Sequence, residues 1–219
     1  MRSNLLRCLA LAILLSYSCP AQRWEIGGLG GFAWYQNATI TNPTGSVEAG
    51  FTPKGAMGVV FGENMQKYIG GEVRWMLIFG QPLLRMDGIQ ANARGYTNLV
   101  SYDLLIHTAR EKAKIRPFFA AGAGIKVYSA TDRINLLQPL QGFAVLRRVN
   151  QTEPLISVGG GLKYGVHRHV QLRVEFRTYM TPTPDELFRR TLDSTIHGWV
   201  YNFVPTVGLS YLFSPELDP

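Results

Sequence analysis

Cysteine is nearly absent from this chain of 219 residues: there are two, Cys8 and Cys19, and both fall within the first 21 positions. A secreted chain without those residues has no disulfide framework, so its stability must come from a core or from a membrane. Charge is also scarce. Charged residues make up 17% of the chain, below the ~25% of an ordinary globular domain. The net charge of +7 falls to +5 once Arg2 and Arg7 are removed, too mild and too scattered for a nucleic-acid footprint. No segment beyond residue 21 holds 18 consecutive apolar residues, which excludes a helical membrane span. Collagen and coiled-coil periods are missing, and no repeat of 20 to 50 residues is apparent. Disorder is excluded by an apolar content of 46%.

Glycine and aromatic residues are what the chain has in quantity, 23 glycines and 11% Phe, Trp and Tyr. Its first 21 residues read as a secretory signal peptide. Arg2 and Arg7 form a basic start, Leu9 to Leu15 an apolar stretch too short to span ~30 Å as a helix, and Cys19-Pro20-Ala21 a small-residue cleavage site. The expected organisation is therefore a signal peptide over 1–21, one domain over 22–213 and a short tail over 214–219.

The dominant pattern after residue 21 has period two. Val170, Leu172, Val174 and Phe176 share one face; Gln171, Arg173, Glu175 and Arg177 share the other. Only a strand separates the groups so cleanly. Ile69 to Phe79 and Val100 to His107 repeat the pattern, and the glycine-rich stretches Arg116–Tyr128, Ile156–Tyr164 and Tyr201–Phe213 extend it. With weaker strands at Trp24–Tyr35 and Gly55–Phe61, eight are expected. Three connections are tight (63–67, 110–115, 165–169). Four are long (36–54, 80–95, 129–153, 181–198), and Pro184 to Asp193 has the composition of a short surface helix.

Which face is buried decides the class. A soluble barrel hides its apolar face. A membrane barrel turns it to lipid and keeps small and polar residues inside. A core of Ala120, Gly122, Gly124, Gly159 and Gly161 would be mostly void, whereas small residues suit a narrow eight-stranded interior. Aromatics gather at strand ends: Trp34, Trp75, Phe79, Tyr96, Tyr128, Trp199 and Tyr201 towards the long loops, and Phe61, Tyr68, Tyr164, Tyr211 and Phe213 at the other end. That is the pattern of two lipid–water girdles. Closure removes sheet edges that lipid would not tolerate. The fold class is thus all-β: an eight-stranded antiparallel up-and-down transmembrane barrel, apolar rows outward. Its lumen would hold Glu72, Arg74, Asp103, Lys126, Lys163, Arg173, Glu175 and Arg177, paired as an ion-pair plug or lining a conducting path.

The strand count, the alternation of short turns and long loops, and the aromatic-rich last strand ending at Phe213 resemble the bacterial outer-membrane β-barrel family of the OmpA/OmpX-like eight-stranded type. Arg116-Pro117-Phe118-Phe119-Ala120-Ala121-Gly122-Ala123-Gly124 looks like that family's Arg-Pro-aromatic and Gly-x-Gly strand, and Val158 to Tyr164 like its later partner. The resemblance covers nearly all of 22–213. It implies an outer-membrane location after signal cleavage, contact with outer-membrane lipids and lipopolysaccharide, and insertion by the barrel-assembly machinery. The family's terminal aromatic is usually its last residue; here Ser214 to Pro219 follow.

These motifs specify a fold, not an activity. Candidates for chemistry are few. His107 lies on an inward strand face. His167 and His169 flank Arg168 in a turn, where His-x-His lacks a third metal ligand. Asp193, Ser194 and His197 are the one local cluster of the types a lipid A deacylase needs. An acyl-transfer enzyme wants an apolar lumen, against which the lumen charges speak. Gly27 to Gly31 lies within a strand and not before a helix, so it is no phosphate loop. Asn37-Ala38-Thr39 and Asn150-Gln151-Thr152 are sequons without meaning in a bacterial setting. The expectation is a non-enzymatic barrel with no cofactor or metal, acting structurally or through its four long loops on a ligand the sequence does not identify. A lipid-modifying enzyme and a narrow pore are the alternatives.

Overall fold

The computed structural model describes residues 23–36, 38–43, 45–110, 113–130, 140, 143–146, 149–190 and 195–213. The signal-peptide and tail assignments, and Asp193 and Ser194, lie outside them. Eight long strands form a closed antiparallel barrel. They are β1 (Arg23–Gln36), β4 (Lys54–Asn64), β5 (Ile69–Ile78), β8 (Gly95–His107), β9 (Ile115–Ala130), β11 (Asn150–Gly165), β12 (Val170–Pro182) and β15 (Trp199–Phe213). Each pairs with its neighbour in sequence, and β1 pairs with β15 to close the wall.

The register gives the barrel its shape. Pairing partners followed once around the wall run Tyr201, Met180, Ile156, Ala123, Tyr102, Val73, Phe61, Ile26 and back to β15 at Tyr211, ten residues beyond the start. Eight strands with that stagger tilt by roughly 40° and leave an interior just wide enough for side chains. The β1–β15 ladder skips Phe32 and Ala33. Opposite them lies Pro205, which has no N–H to give.

Burial follows the period-two pattern. Along β12, Arg173, Glu175, Arg177 and Tyr179 are buried while Val174 and Phe176 are exposed. Val59, Val73, Val100, Tyr102, Leu104, Phe119, Val158, Val207 and Leu209 all face outward, Phe119 at 67% exposure. So large an apolar surface on every strand is stable in hydrocarbon and not in water. Small inward residues let neighbouring strands approach. A Cβ on Gly124 would sit 2.0 Å from the Val100 carbonyl oxygen.

The structure departs from expectation in the long loops. Their described parts carry short strands of their own. β2 (Ala38–Asn42), β3 (Gly45–Phe51), β6 (Pro82–Met86), β7 (Ile89–Asn92) and β14 (Thr195–His197) form a five-stranded sheet in the order β14-β2-β3-β6-β7. β10 (Ala144–Leu146) pairs with β13 (Phe188–Arg190). The β6–β7 hairpin turns on Asp87 and Gly88, φ 46° and 83°, the paired left-handed conformations of a two-residue turn. Pro184 to Asp193 does not open as a helix: 185–187 is a turn that feeds β13. Helical composition gave way because Leu187 and Phe188 are wholly buried in the core above the barrel mouth.

Candidate functional site in the barrel interior and its cap

All eight residues expected in the lumen are there, each at 3% exposure or less. Successive inward positions on the tilted strands stack them in layers. At the short-turn end sit His107, Arg116 and Phe118. Arg116 donates to Asn64 Oδ1 at 2.6 Å and to the Lys67 carbonyl at 3.4 Å. His107 lies 5.8 Å from the Phe118 ring, and neither of its ring nitrogens has a hydrogen-bond partner among the described residues.

The next layer is an ionic network. Arg173 reaches Glu25, Glu72 (2.7 Å) and Glu175 (2.5 Å). Arg74 reaches Glu72 (2.6 Å) and Glu175. Arg177 donates to Glu72 at 2.8 Å and to Glu175 at 3.3 Å, and Lys163 donates to Glu25 at 2.7 Å. Asp103 accepts from Ser101 at 2.9 Å and stands 3.5 Å from Arg177 and 4.0 Å from Arg74, an electrostatic more than a hydrogen-bonded partner. Four acids thus face four bases, so the layer is neutral. Neutrality and dense pairing are what offset the several kcal/mol per ion of desolvation. The Phe118 ring closes the layer from below, with Lys163, Arg173 and Arg177 each 5.7 to 5.8 Å from its centre.

Glu25 was not among the expected lumen charges, yet it anchors two of the four bases. The signal was available: Trp24 and Ile26 face outward, so Glu25 between them must face in.

Above the ions the lumen becomes apolar, contrary to the expected run of small and charged residues. Leu29, Val60, Met76, Ile78, Leu99, Leu155, Tyr179 and Val204 are buried there against one another. Lys126 follows. It donates to Asn202 Oδ1 at 3.4 Å and lies 5.4 and 4.9 Å from the Tyr35 and Tyr128 rings, with no carboxylate among its described partners. Tyr128 is therefore a lumen residue and not a girdle residue. It is fully buried, donating to or accepting from Thr181 at 2.6 Å, because it shares the inward parity of Lys126.

A second apolar core covers the outer mouth. Ile40, Val47, Phe51, Leu84, Phe143, Leu146, Leu187 and Phe188 from the loops pack with Tyr128, Ala130 and Val200 from the wall. Phe51 stacks on Tyr128 at 4.9 Å and meets Phe188 edge-on at 5.8 Å. Gln151 ties the rim: its Oε1 accepts from the Glu186 and Leu187 amides at 2.9 and 3.1 Å, and its Nε2 donates to Glu153 at 2.6 Å. On β11 the outward row changes from Asn150 and Thr152 to Pro154, Ile156 and Val158, which puts Glu153 above the apolar band. Partial burial, with Asp185 and Glu186 nearby, raises its carboxyl above the usual carboxylate range, and the Gln151 hydrogen bond opposes that shift.

The histidine candidates do not converge. His167 is exposed, while His169 stacks on Tyr211 at 5.6 Å with Nδ1 3.2 Å from the Leu212 carbonyl. Backbone of His197 pairs with Thr39 in the cap sheet. Among the described residues no group of three or more His, Cys, Asp or Glu is placed to hold a metal. No described helix is long and apolar enough to cross a membrane, which says nothing of strands.

The closed wall, outward apolar rows and filled interior define an eight-stranded barrel of the outer-membrane type. The comparisons with known structures agree. The chain is similar to Neisserial surface protein A, at 11% identity and a TM-score of 0.53 over 87% of this chain and 97% of that one. It is similar to outer membrane protein OprG from Pseudomonas aeruginosa, at 12% and 0.53 over 89% and 96%. A third is outer membrane protein AlkL in lipid bilayers, at 13% and 0.52 over 89% and 92%. No protein-family model and no curated protein sequence matches. At these identities the likeness is one of fold.

Proposed function

We propose that this chain is an outer-membrane barrel without catalytic activity, whose sealed wall serves as a pedestal for a folded, outward-facing cap that acts structurally or by binding at the cell surface. One observation carries the reading. The cap core is continuous with the wall, since Tyr128, Ala130 and Val200 belong to barrel strands and pack in the same cluster as Phe51, Phe143 and Phe188. A binding surface fixed in this way loses little freedom on meeting a partner. Fractionation with surface proteolysis tests the location and the orientation. The protein should sit in the outer membrane with cap segments accessible from outside; recovery in the periplasm or inner membrane overturns the reading.

Sealing also argues against a pore, because a neutral ionic layer, an apolar layer and the cap lie in series. Planar bilayers containing the protein should show no conductance steps, and steps of reproducible size would overturn a structural role for the lumen. The apolar upper lumen favours a second reading, lipid handling. Lipid A or phospholipid incubated with the purified barrel should keep its acyl chains by mass spectrometry, and a change in acylation would replace the first reading with the second.

A further inference from the structure

The outer wall carries a concavity that belongs to neither the cap nor the lumen. Ile26, Gly28, Val59, Val170, Leu209 and Tyr211 line a groove of about 440 Å³, a volume within the roughly 300–1,000 Å³ of small-molecule sites. Its cause is local. Gly28 occupies an outward position between Val59 and Leu209, and a Cβ there would meet nothing within 4 Å. Two of its lining residues, Val170 and Tyr211, adjoin the 166–169 turn, which carries His167, Arg168 and His169. Val166 and His167 donate their amides to the Val170 carbonyl, both at 3.0 Å, and the His169 ring stacks on the groove residue Tyr211. His167 and Arg168 are exposed in the same turn as His169. Arg168 has no described partner.

We infer that this groove is a binding site for one anionic phospholipid of the leaflet on the short-turn side, its acyl chain against Gly28 and its phosphate on Arg168 and His167. The inference rests on the membrane-barrel reading above. Charge complementarity selects the occupant: an apolar slot alone would take any acyl chain, but a slot ending beside an exposed guanidinium with no partner among the described residues favours a negative headgroup. Arg168 near the surface gives a preference of roughly fivefold for an anionic over a zwitterionic lipid.

Native mass spectrometry of the detergent-purified full chain, with phosphatidylglycerol and phosphatidylcholine of identical chains added in equal amounts, tests this. Wild type should retain one lipid, with phosphatidylglycerol about fivefold in excess. Gly28→Leu puts a side chain into the groove, its Cβ more than 4 Å from every neighbour, and should lose retention of both lipids, while Arg168→Ala should keep a lipid and lose the preference. Equal retention of the two lipids by wild type, or wild-type behaviour of both variants, overturns the site. A dimer that Gly28→Leu abolishes would assign the groove to a second copy and equally overturn it. Each sample is first run boiled and unboiled on a gel. Identical mobility of the wild type would sink the barrel reading and the inference with it, whereas shifted mobility with no lipid selectivity sinks the inference alone.

Discussion

Arg173→Met is the sharpest perturbation of the lumen. Arg173 is wholly buried and touches three of the four acids in the ionic layer, Glu25, Glu72 and Glu175. Methionine keeps most of the volume and removes the charge, leaving four acids to three bases in a layer closed by Phe118 below and by Leu29, Met76 and Leu99 above. Breaking one partner out of a buried ionic network costs about 3–5 kcal/mol, because the orphaned acids keep their desolvation penalty. That is a large part of the roughly 5–15 kcal/mol that holds an ordinary domain together. The barrel should still form, with a lower midpoint in guanidinium unfolding followed by tryptophan fluorescence and by the mobility shift on gels. Glu175→Gln supplies the control. In the double variant three acids again face three bases: Lys163 keeps Glu25, Arg74 keeps Glu72, and Arg177 keeps Glu72 and Asp103. The double variant should be more stable than the two single losses added together, by about 1–3 kcal/mol. A cost below about 1 kcal/mol for Arg173→Met, or strict additivity, would show that the charges act singly and that the layer is not an interdependent plug.

Lys126→Met should behave in the opposite way. Its ammonium has an amide oxygen at 3.4 Å and two ring faces for company, so removing the charge should leave stability unchanged or raise it by about 1–4 kcal/mol; a loss of more than about 1 kcal/mol in the same titration would mean that the aromatic contacts satisfy the cation. Gly124→Val should abolish refolding, since a Cβ would lie 2.0 Å from the Val100 carbonyl oxygen and 2.7 Å from Ser101 Cα. Gly28→Ala meets nothing and should fold with equal or greater stability. A fully refolded Gly124→Val barrel would refute the close strand approach. Glu153 sets a pH dependence at the rim: its carboxyl titrates above the usual range in the folded cap, so its charged form costs stability at neutral pH. That cost should fade as pH drops through the raised value, giving slower proteolysis of the cap at mildly acid pH, and Glu153→Gln should show the slow rate at both pH values.

The wall was legible because lipid imposes one rule on every strand: apolar outward, small or paired inward, with a period of two. That rule placed Glu72, Arg74, Asp103, Lys163, Arg173, Glu175 and Arg177 inside without any register, since parity alone decides a side. The same rule, applied strictly, also puts Glu25 inside between Trp24 and Ile26, and puts Tyr128 inside with Lys126; reading Tyr128 as a girdle residue let composition override parity. Pairing within the lumen was beyond parity, because it depends on the ten-residue stagger, which brings residues 148 apart such as Arg173 and Glu25 into contact.

The cap was hidden for a different reason. Its strands are three to seven residues long, and their burial comes from partners in other loops: Phe51 needs Tyr128 and Phe188, 77 and 137 residues away in sequence. A core assembled from two to four side chains per loop leaves only short alternations, such as Val47, Ala49 and Phe51, too brief to stand out in any single loop. The gradient inside the lumen follows from the same neighbour. Near the short turns the interior is closed by charges that pair, but under the cap Leu29, Met76, Leu99 and Val204 form a second apolar cluster, joined to that of Phe51 and Val200 through Tyr35, which packs against both. The apolar upper lumen and the folded loops are therefore adjacent layers of one seal, and a variant that unfolds the cap, such as Phe51→Asp, should admit water down to Lys126 while Leu29, Met76 and Leu99 keep the ionic layer dry, read as faster hydrogen exchange confined to the loop strands and the outer ends of the wall strands.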